Sequence, residues 1–265
     1  MKLGLALPSF VDDPDIPIGV ARTAEAAGLD GVFVYDHLWR DKPPPRRPAL
    51  ECFALLGAIA AETTRIHVGT LVARATLRPA ATLAHSLDAA QRISGGRLIA
   101  AIGAGDSESR AENEAFGLPF GTLASRVLAL ADVVGAARGR GYPIWVGGHA
   151  TVVREVVATA DGWNTWGDTP EQFRDRSALV RAVAPEAELT WGGLILLGRD
   201  RDQAAFKTAR FNPGSHVLTG EPEQIVEGLR GYADAGAAWA IVAPLDASDA
   251  ENAQILGDAV APLVR

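Results

Sequence analysis

Cysteine is nearly absent: Cys52 is the only one among 265 residues. A single thiol excludes an intramolecular disulfide framework. It also leaves any zinc site to the five histidines, His37, His67, His85, His149 and His216, whose positions show no metal-ligand spacing. Positive charge is in the minority, with 25 lysines and arginines against 32 aspartates and glutamates, net −7, and neither sign forms a long tail. That balance argues against nucleic acid as the main partner. No run of eighteen apolar residues occurs, so no membrane-spanning helix is expected. The first ten residues lack the basic-then-apolar pattern of a secretory leader and read as a strand. The GxSxG elbow of serine hydrolases and the GxxxxGK[ST] phosphate loop are both missing. These absences predict a soluble chain of a reducing, cytoplasmic compartment.

What is present is an alternation. The apolar fraction, 48%, suffices for a sizeable core. Short Val/Ile/Leu-rich runs predict strands at Lys2–Pro8, Gly31–Tyr35, Ile66–Ala73, Leu98–Gly103, Ile144–Gly147, Gly162–Trp166, Leu189–Leu197 and Ala240–Ala243. Continuous apolar runs of this kind suit parallel strands covered on both faces. Amphipathic segments between them predict helices at Ile18–Ala27, Glu51–Glu62, Ala80–Ile93, Ala124–Ala137, Val152–Ala160, Pro170–Val183, Asp202–Ala209, Pro222–Ala235 and Ser248–Val264. Strand-helix alternation implies right-handed βαβ units. Eight of them in this length predict an α/β fold of the (β/α)8 TIM-barrel class, with an open doubly wound sheet as the alternative. No linker or low-complexity stretch divides the chain, so residues 1–265 are expected to form one domain. Breaks are expected at Asp41–Pro48, Arg138–Pro143 and Phe211–Gly220, the first because Pro43, Pro44 and Pro45 forbid a regular helix.

A barrel gathers function where its strands end. Three chemically marked stretches fall on that predicted rim. Asp36-His37 closes the second strand; a histidine there could move a proton or hold a developing anion, or the pair could simply cap a turn. Gly103-Ala104-Gly105-Asp106 closes the fourth. Its glycines would let a ligand approach the backbone, and Asp106 could act as acid or base or cap the next helix. The stretch lacks the third glycine of the dinucleotide fingerprint. Gly147-Gly148-His149 joins the fifth strand to a helix, where backbone amides could bind phosphate or the glycines could merely serve a tight turn. Trp39, Trp145, Trp163, Trp166, Trp191 and Trp239 could be core or pocket lining, and most of them read as core.

In order along the chain, Leu3-Gly4-Leu5-Ala6-Leu7-Pro8, Ala24-Glu25-Ala26-Ala27-Gly28-Leu29-Asp30-Gly31, Tyr35-Asp36-His37-Leu38, Ile66-His67-Val68-Gly69-Thr70-Leu71-Val72, Ile93-Ser94-Gly95-Gly96-Arg97-Leu98 and Pro143-Ile144-Trp145-Val146-Gly147-Gly148 resemble the luciferase-like monooxygenase superfamily, and within it the oxidoreductases that use coenzyme F420, a deazaflavin. The resemblance implies a cofactor ring in the barrel mouth, with FMN as the alternative cofactor. It places Asp36 and His37 beside the ring, with His37 the candidate acid/base, and Thr70, Leu71 and Val72 beneath it, with a non-prolyl cis peptide at Leu71–Val72. It puts Gly103, Ala104 and Gly105 at the cofactor, Asp106 where some relatives carry a catalytic glutamate, and Gly147, Gly148 and His149 in a phosphate cradle. Trp39 becomes pocket lining. The segment between the fourth and fifth strands is shorter than in relatives. The reaction implied is hydride transfer between the deazaflavin and a small organic substrate. An FMN-dependent monooxygenase and a non-catalytic binding protein are the alternatives, and a homodimer is the implied assembly.

Overall fold

A computed structural model describes residues 1–40 and 47–265 of the chain. Eleven strands follow one another among the described residues. They are β1 (Lys2–Ala6), β2 (Gly31–Val34), the two-residue β3 (Trp39–Arg40) and β4 (Arg47–Pro48), β5 (His67–Arg74), β6 (Leu98–Gly103), β7 (Ile144–Gly147), β8 (Gly162–Trp166), β9 (Glu188–Leu197), β10 (Leu218–Gly220) and β11 (Trp239–Pro244). Eight of them form a ring in the order β1-β2-β5-β6-β7-β8-β9-β11, and pairing of β11 with β1 and of β8 with β9 closes it. Closure makes this the expected (β/α)8 barrel and excludes the open sheet. β10 lies outside the ring: Leu218 pairs with Ile195 of β9, past Gly192 where the register with β8 ends. β3 and β4 pair antiparallel with each other. The proline-rich loop expected at Asp41–Pro48 lies outside the described residues for 41–46.

The helices are α1 (Asp15–Ala26), α2 (Cys52–Glu62), α3 (Ala80–Ile93), α4 (Arg110–Ala115), α5 (Leu123–Ala137), α6 (Ala150–Val157), α7 (Pro170–Arg181), α8 (Arg201–Phe211), α9 (Pro222–Asp234) and a C-terminal helical stretch over 251–264. Local chemistry starts several of them. Thr122 with Ser125 and Thr169 with Gln172 form reciprocal caps at α5 and α7, and Pro170 and Pro222 open α7 and α9, where a missing N–H costs nothing. Four elements have no counterpart among those expected, the two-residue β3 and β4 and also α4 and β10. α4 has the sequence Arg-Ala-Glu-Asn-Glu-Ala, with no apolar period to reveal it, and it is held by burial of Glu112 and Asn113. β10 has three residues, too few for periodicity, inside the expected break Phe211–Gly220.

Burial divides into two layers. The larger lies between the strands and the helices. The smaller fills the barrel, where Phe33, Trp145 and Trp239 meet with ring centroids 5.6–6.0 Å apart. Gly4 and Gly69 make room for Phe33: a Cβ on either would fall 2.7 Å from its ring. The two indoles point their Nε1–H groups at one carboxylate, Glu188, whose oxygens accept at 3.1 and 3.2 Å. Glu188 opens β9, so this plug closes the end of the barrel where the strands begin. A ligand site is left to the other end.

Candidate active site

Asp36 and His37 lie just past the end of β2, after Tyr35, as expected, yet they do different things. Asp36 is buried, and its carboxylate accepts both Nη1 and Nη2 of Arg78 at 2.7 and 3.1 Å and the backbone N–H of Arg74 at 2.9 Å. Arg74 Nε–H donates to the Asp36 carbonyl at 2.8 Å. A forked arginine-carboxylate pair is strong and directional. Here it ties the end of β2 to the end of β5. Burial alone would weaken the hold of Arg78 on its proton, but Asp36 and Glu51 outweigh burial and raise it.

His37 is 33% exposed at its side chain and turns Nδ1 to Glu112 Oε2 at 3.0 Å. Glu112 is 3% exposed. Its Oε1 accepts the backbone N–H groups of Leu38 and, at 3.3 Å, of Trp39. Its Oε2 also lies 3.1 Å from Arg74 Nη1. Burial pushes the acidity of Glu112 down, but the His37 bond, the Leu38 amide and the charge of Arg74 prevail, so its pKa falls below the ordinary glutamate value. An ionised carboxylate only accepts, so the geometry assigns the proton to His37 Nδ1 and leaves Nε2 as the other working edge of the ring. Arg74 is buried, and burial lowers its pKa against the opposing pull of Glu112, Asp36 and Asp106. Its Nη1 donates to Asn113 Oδ1 at 3.2 Å, and its buried Nη2 has no hydrogen-bond partner.

The middle of β5 is irregular. Thr70, fully buried, donates its hydroxyl to the Ala101 carbonyl at 2.7 Å. The Leu71–Val72 peptide is cis, at the position expected, and the register with β6 shifts between Thr70 and Ala73. Val72 then reaches over the ends of two neighbouring strands. A Cβ on Gly103 would lie 2.4 Å from Val72 Cγ2, and one on Gly147 2.5 Å from Val72 Cγ1. These two glycines therefore make room for a protein side chain. Ala104 is buried behind them, and Gly105 turns the chain at φ +75°.

Asp106 is exposed, and its Oδ1 accepts the Ser109 N–H at 2.9 Å and the Ser109 hydroxyl at 3.0 Å. It caps the short turn Ser107–Ser109, the alternative that the sequence left open. Gly148 has φ +141° and donates its N–H to the Asn164 carbonyl at 3.0 Å. His149 is exposed and caps α6, with Nδ1 2.8 Å from the Thr151 hydroxyl.

Aromatic rings wall the mouth. Phe10 stacks on Tyr35 at 6.1 Å and lies 5.7 Å from the His37 ring, and Tyr35 meets Trp166 edge-on at 6.2 Å. Trp166 ends β8 and is 43% exposed, unlike the buried Trp145, Trp163, Trp191 and Trp239. Trp39 is half-buried and packs edge-on against Phe116 at 5.5 Å. The fold thus groups Asp36, His37 and Trp39 with Arg74, Arg78 and Glu112, and groups Val72 with Gly103 and Gly147. Asp106 and His149 are exposed caps, Asp106 close enough to act on the charge of Arg74. Glu112, Arg74 and Phe10 went unmarked in the sequence, Tyr35 and Arg78 stood there without a role, and Trp166 is the tryptophan for which the pocket-lining alternative holds. The one available signal was the four-residue spacing of Arg74 and Arg78 behind a strand, next to a rim aspartate that needs a counter-ion. No group of three or more His, Cys, Asp or Glu side chains among the described residues could hold a metal ion. No described helix is long and apolar enough to cross a membrane.

Comparison with known proteins agrees with this geometry. Residues 1–211 match the model of a family described as luciferase-like monooxygenases. Over 244 residues the chain is 24% identical to the 5,10-methylenetetrahydromethanopterin reductase of Methanolobus tindarius, covering 81% of this chain and 71% of that protein. Among solved structures, an F420-dependent secondary alcohol dehydrogenase in complex with an F420-acetone adduct shares the fold at a TM-score of 0.81, with 15% identity, over 100% of this chain and 99% of that one. The oxygenating constituent of 3,6-diketocamphane monooxygenase from Pseudomonas putida, a type II Baeyer-Villiger monooxygenase in complex with FMN, does so at 0.78, with 13% identity, over 99% and 98%.

Proposed function

The chain belongs to the luciferase-like monooxygenase family, and from that premise we propose that it is a deazaflavin-dependent oxidoreductase, moving a hydride between coenzyme F420 and a small organic substrate at the barrel mouth. The observation that carries the reading is the His37–Glu112 pair: a buried carboxylate fixes a part-exposed imidazole beside an aromatic wall. The residues present fit a flat tricyclic ring. Phe10, Tyr35 and Trp166 offer apolar faces, the bulge at Thr70, Leu71 and Val72 offers a floor, and the orphaned Arg74 Nη2 is a buried donor for a polar ring edge. Gly147, Gly148 and His149 precede α6; the Gly148 N–H is taken by Asn164 and those of Thr151, Val152 and Val153 by His149, which leaves the N–H groups of His149 and Ala150 for a phosphate.

When bound, the deazaflavin supplies the hydride chemistry. The chain supplies the rest. Glu112 keeps the His37 proton on Nδ1. His37 Nε2 then holds or moves a proton at the oxygen borne by the substrate carbon that gains or loses the hydride. Arg74 balances the charge of Glu112, and the aromatic wall keeps water from the mouth. Asp106→Asn tests whether that carboxylate takes part: asparagine caps as well as aspartate, so unchanged turnover leaves Asp106 a cap, and a large loss assigns it proton transfer.

FMN is the second reading, favoured by the likeness to an FMN-bound monooxygenase. A fluorescence titration of the purified chain with F420 and, separately, with FMN distinguishes them. Binding of F420 alone supports hydride transfer. Preference for FMN, with oxygen consumed on addition of reductant, replaces it by a monooxygenase. Binding of neither moves the chain to a non-catalytic member of the family.

A further inference from the structure

Between the loop that follows β5 and the start of α5 lies a cavity of about 450 Å3. It is lined by Arg126 of α5, which is only 7% exposed. The Arg126 guanidinium sits 4.2 Å from the centre of the Phe120 ring, and Arg110 lies 4.6 Å from the same ring. Stacking on a ring face attracts a cation but satisfies none of its N–H groups in the plane. Arg126 Nε is buried without a hydrogen-bond partner, and among the described residues no carboxylate lies within 4.0 Å of the guanidinium.

The other fully buried cations are treated differently. Arg74 has Glu112 at 3.1 Å, and Lys207 has Asp246 at 2.7 Å and the Leu197 carbonyl at 2.9 Å. A buried charge is tolerated when it is paired, and a guanidinium is matched by a planar carboxylate or by phosphate. Arg78 also lines the cavity but is committed to Asp36 and Glu51. Asp132, exposed on the same wall, lies beyond ion-pair distance of Arg126. The remaining wall is mostly apolar, with Leu77, Leu118 and Pro119.

The geometry points to a second ligand site here, for a small organic oxyanion, a carboxylate or phosphate on an apolar stem, with Arg126 as its counter-ion. The cavity shares only Arg78 with the group at the mouth, and Arg126, which carries the charge, belongs to neither the aromatic wall nor the His37–Glu112 pair, so loss of anion binding in Arg126→Met is read separately from turnover at the mouth.

Calorimetric titration of the full chain with hexanoate, inorganic phosphate and hexanol tests it. Saturable binding of hexanoate or of phosphate, weakened at least tenfold in Arg126→Met and unchanged in Arg110→Gln, is the expected result. The anion that binds better identifies the head group. Methionine keeps the packing on Phe120 while removing the charge. As a check that needs no variant to fold, the Arg126 Nε–H resonance of the wild-type chain should shift on titration with the bound anion. Absence of saturable anion binding, equal binding of hexanol and hexanoate, binding untouched by Arg126→Met, or an Arg126 resonance that stays still overturns the site.

Discussion

His37 Nδ1 and Glu112 Oε2 lie 3.0 Å apart although 75 positions separate them in the chain. The contact joins the end of β2 to α4 and gives the rim histidine one fixed edge. Removing it should show in function and in stability separately. Glu112→Gln keeps the shape but lets an amide face Nδ1, so turnover should fall by about tenfold or more while folding survives. Glu112→Ala strips Arg74 of its counter-ion and leaves buried amides unmet, at a cost of about 3–5 kcal/mol. Steady-state kinetics and urea denaturation of the two variants check this, and equal losses in both would reduce Glu112 to a structural part.

Acid should loosen the same contact. Glu112 has a lowered pKa in the fold, so its ionised form contributes stability that is complete above the ordinary glutamate range. That contribution is lost as pH falls through the ordinary range toward the lowered value. Urea midpoints measured from neutral to acid pH should drop more steeply for the wild type than for Glu112→Gln. Parallel curves would refute the assignment.

Val72 and Gly147 make a test of packing. Gly147→Ala would place a methyl 2.5 Å from Val72 Cγ1, an overpacking expected to cost about 1–3 kcal/mol. Val72→Ala in the same chain should recover most of that loss, so the double variant falls short of the sum of the singles. Strict additivity, measured by denaturation, would mean that the glycine serves another purpose.

Glu188 serves two indoles at the closed end of the barrel. Glu188→Ala leaves both Nε1–H groups without their acceptor, at about 1–3 kcal/mol for each one left unsatisfied. Cofactor affinity should stay unchanged, because the mouth lies at the opposite end. Loss of affinity at constant stability would contradict that geometry.

The eight barrel strands and most helices could be read directly, because each is announced by residues adjacent to it: Val/Ile/Leu runs, a cap such as Thr169-Pro170, a break at glycine. The same locality marked Asp36 and His37 as rim residues. It could not show that Asp36 would be taken up by Arg78, or that His37 would find Glu112, since neither partner is near in sequence. Arg-Ala-Glu-Asn-Glu-Ala carries no periodic signal, so α4 and its carboxylate stayed hidden. Gly103 and Gly147 were recognisable as places that admit no side chain, but the reason, the two methyls of Val72, depends on β5, β6 and β7 lying side by side.

By itself the sequence determined the alternation of strands and helices, the class of fold that alternation favours, and which residues reach the rim, because these follow from periodicity and chain order. Only the tertiary structure decided which rim residues hold the architecture and which remain to meet a ligand. Burial and pairing settle that choice, and they are properties of side chains brought together from distant parts of the chain.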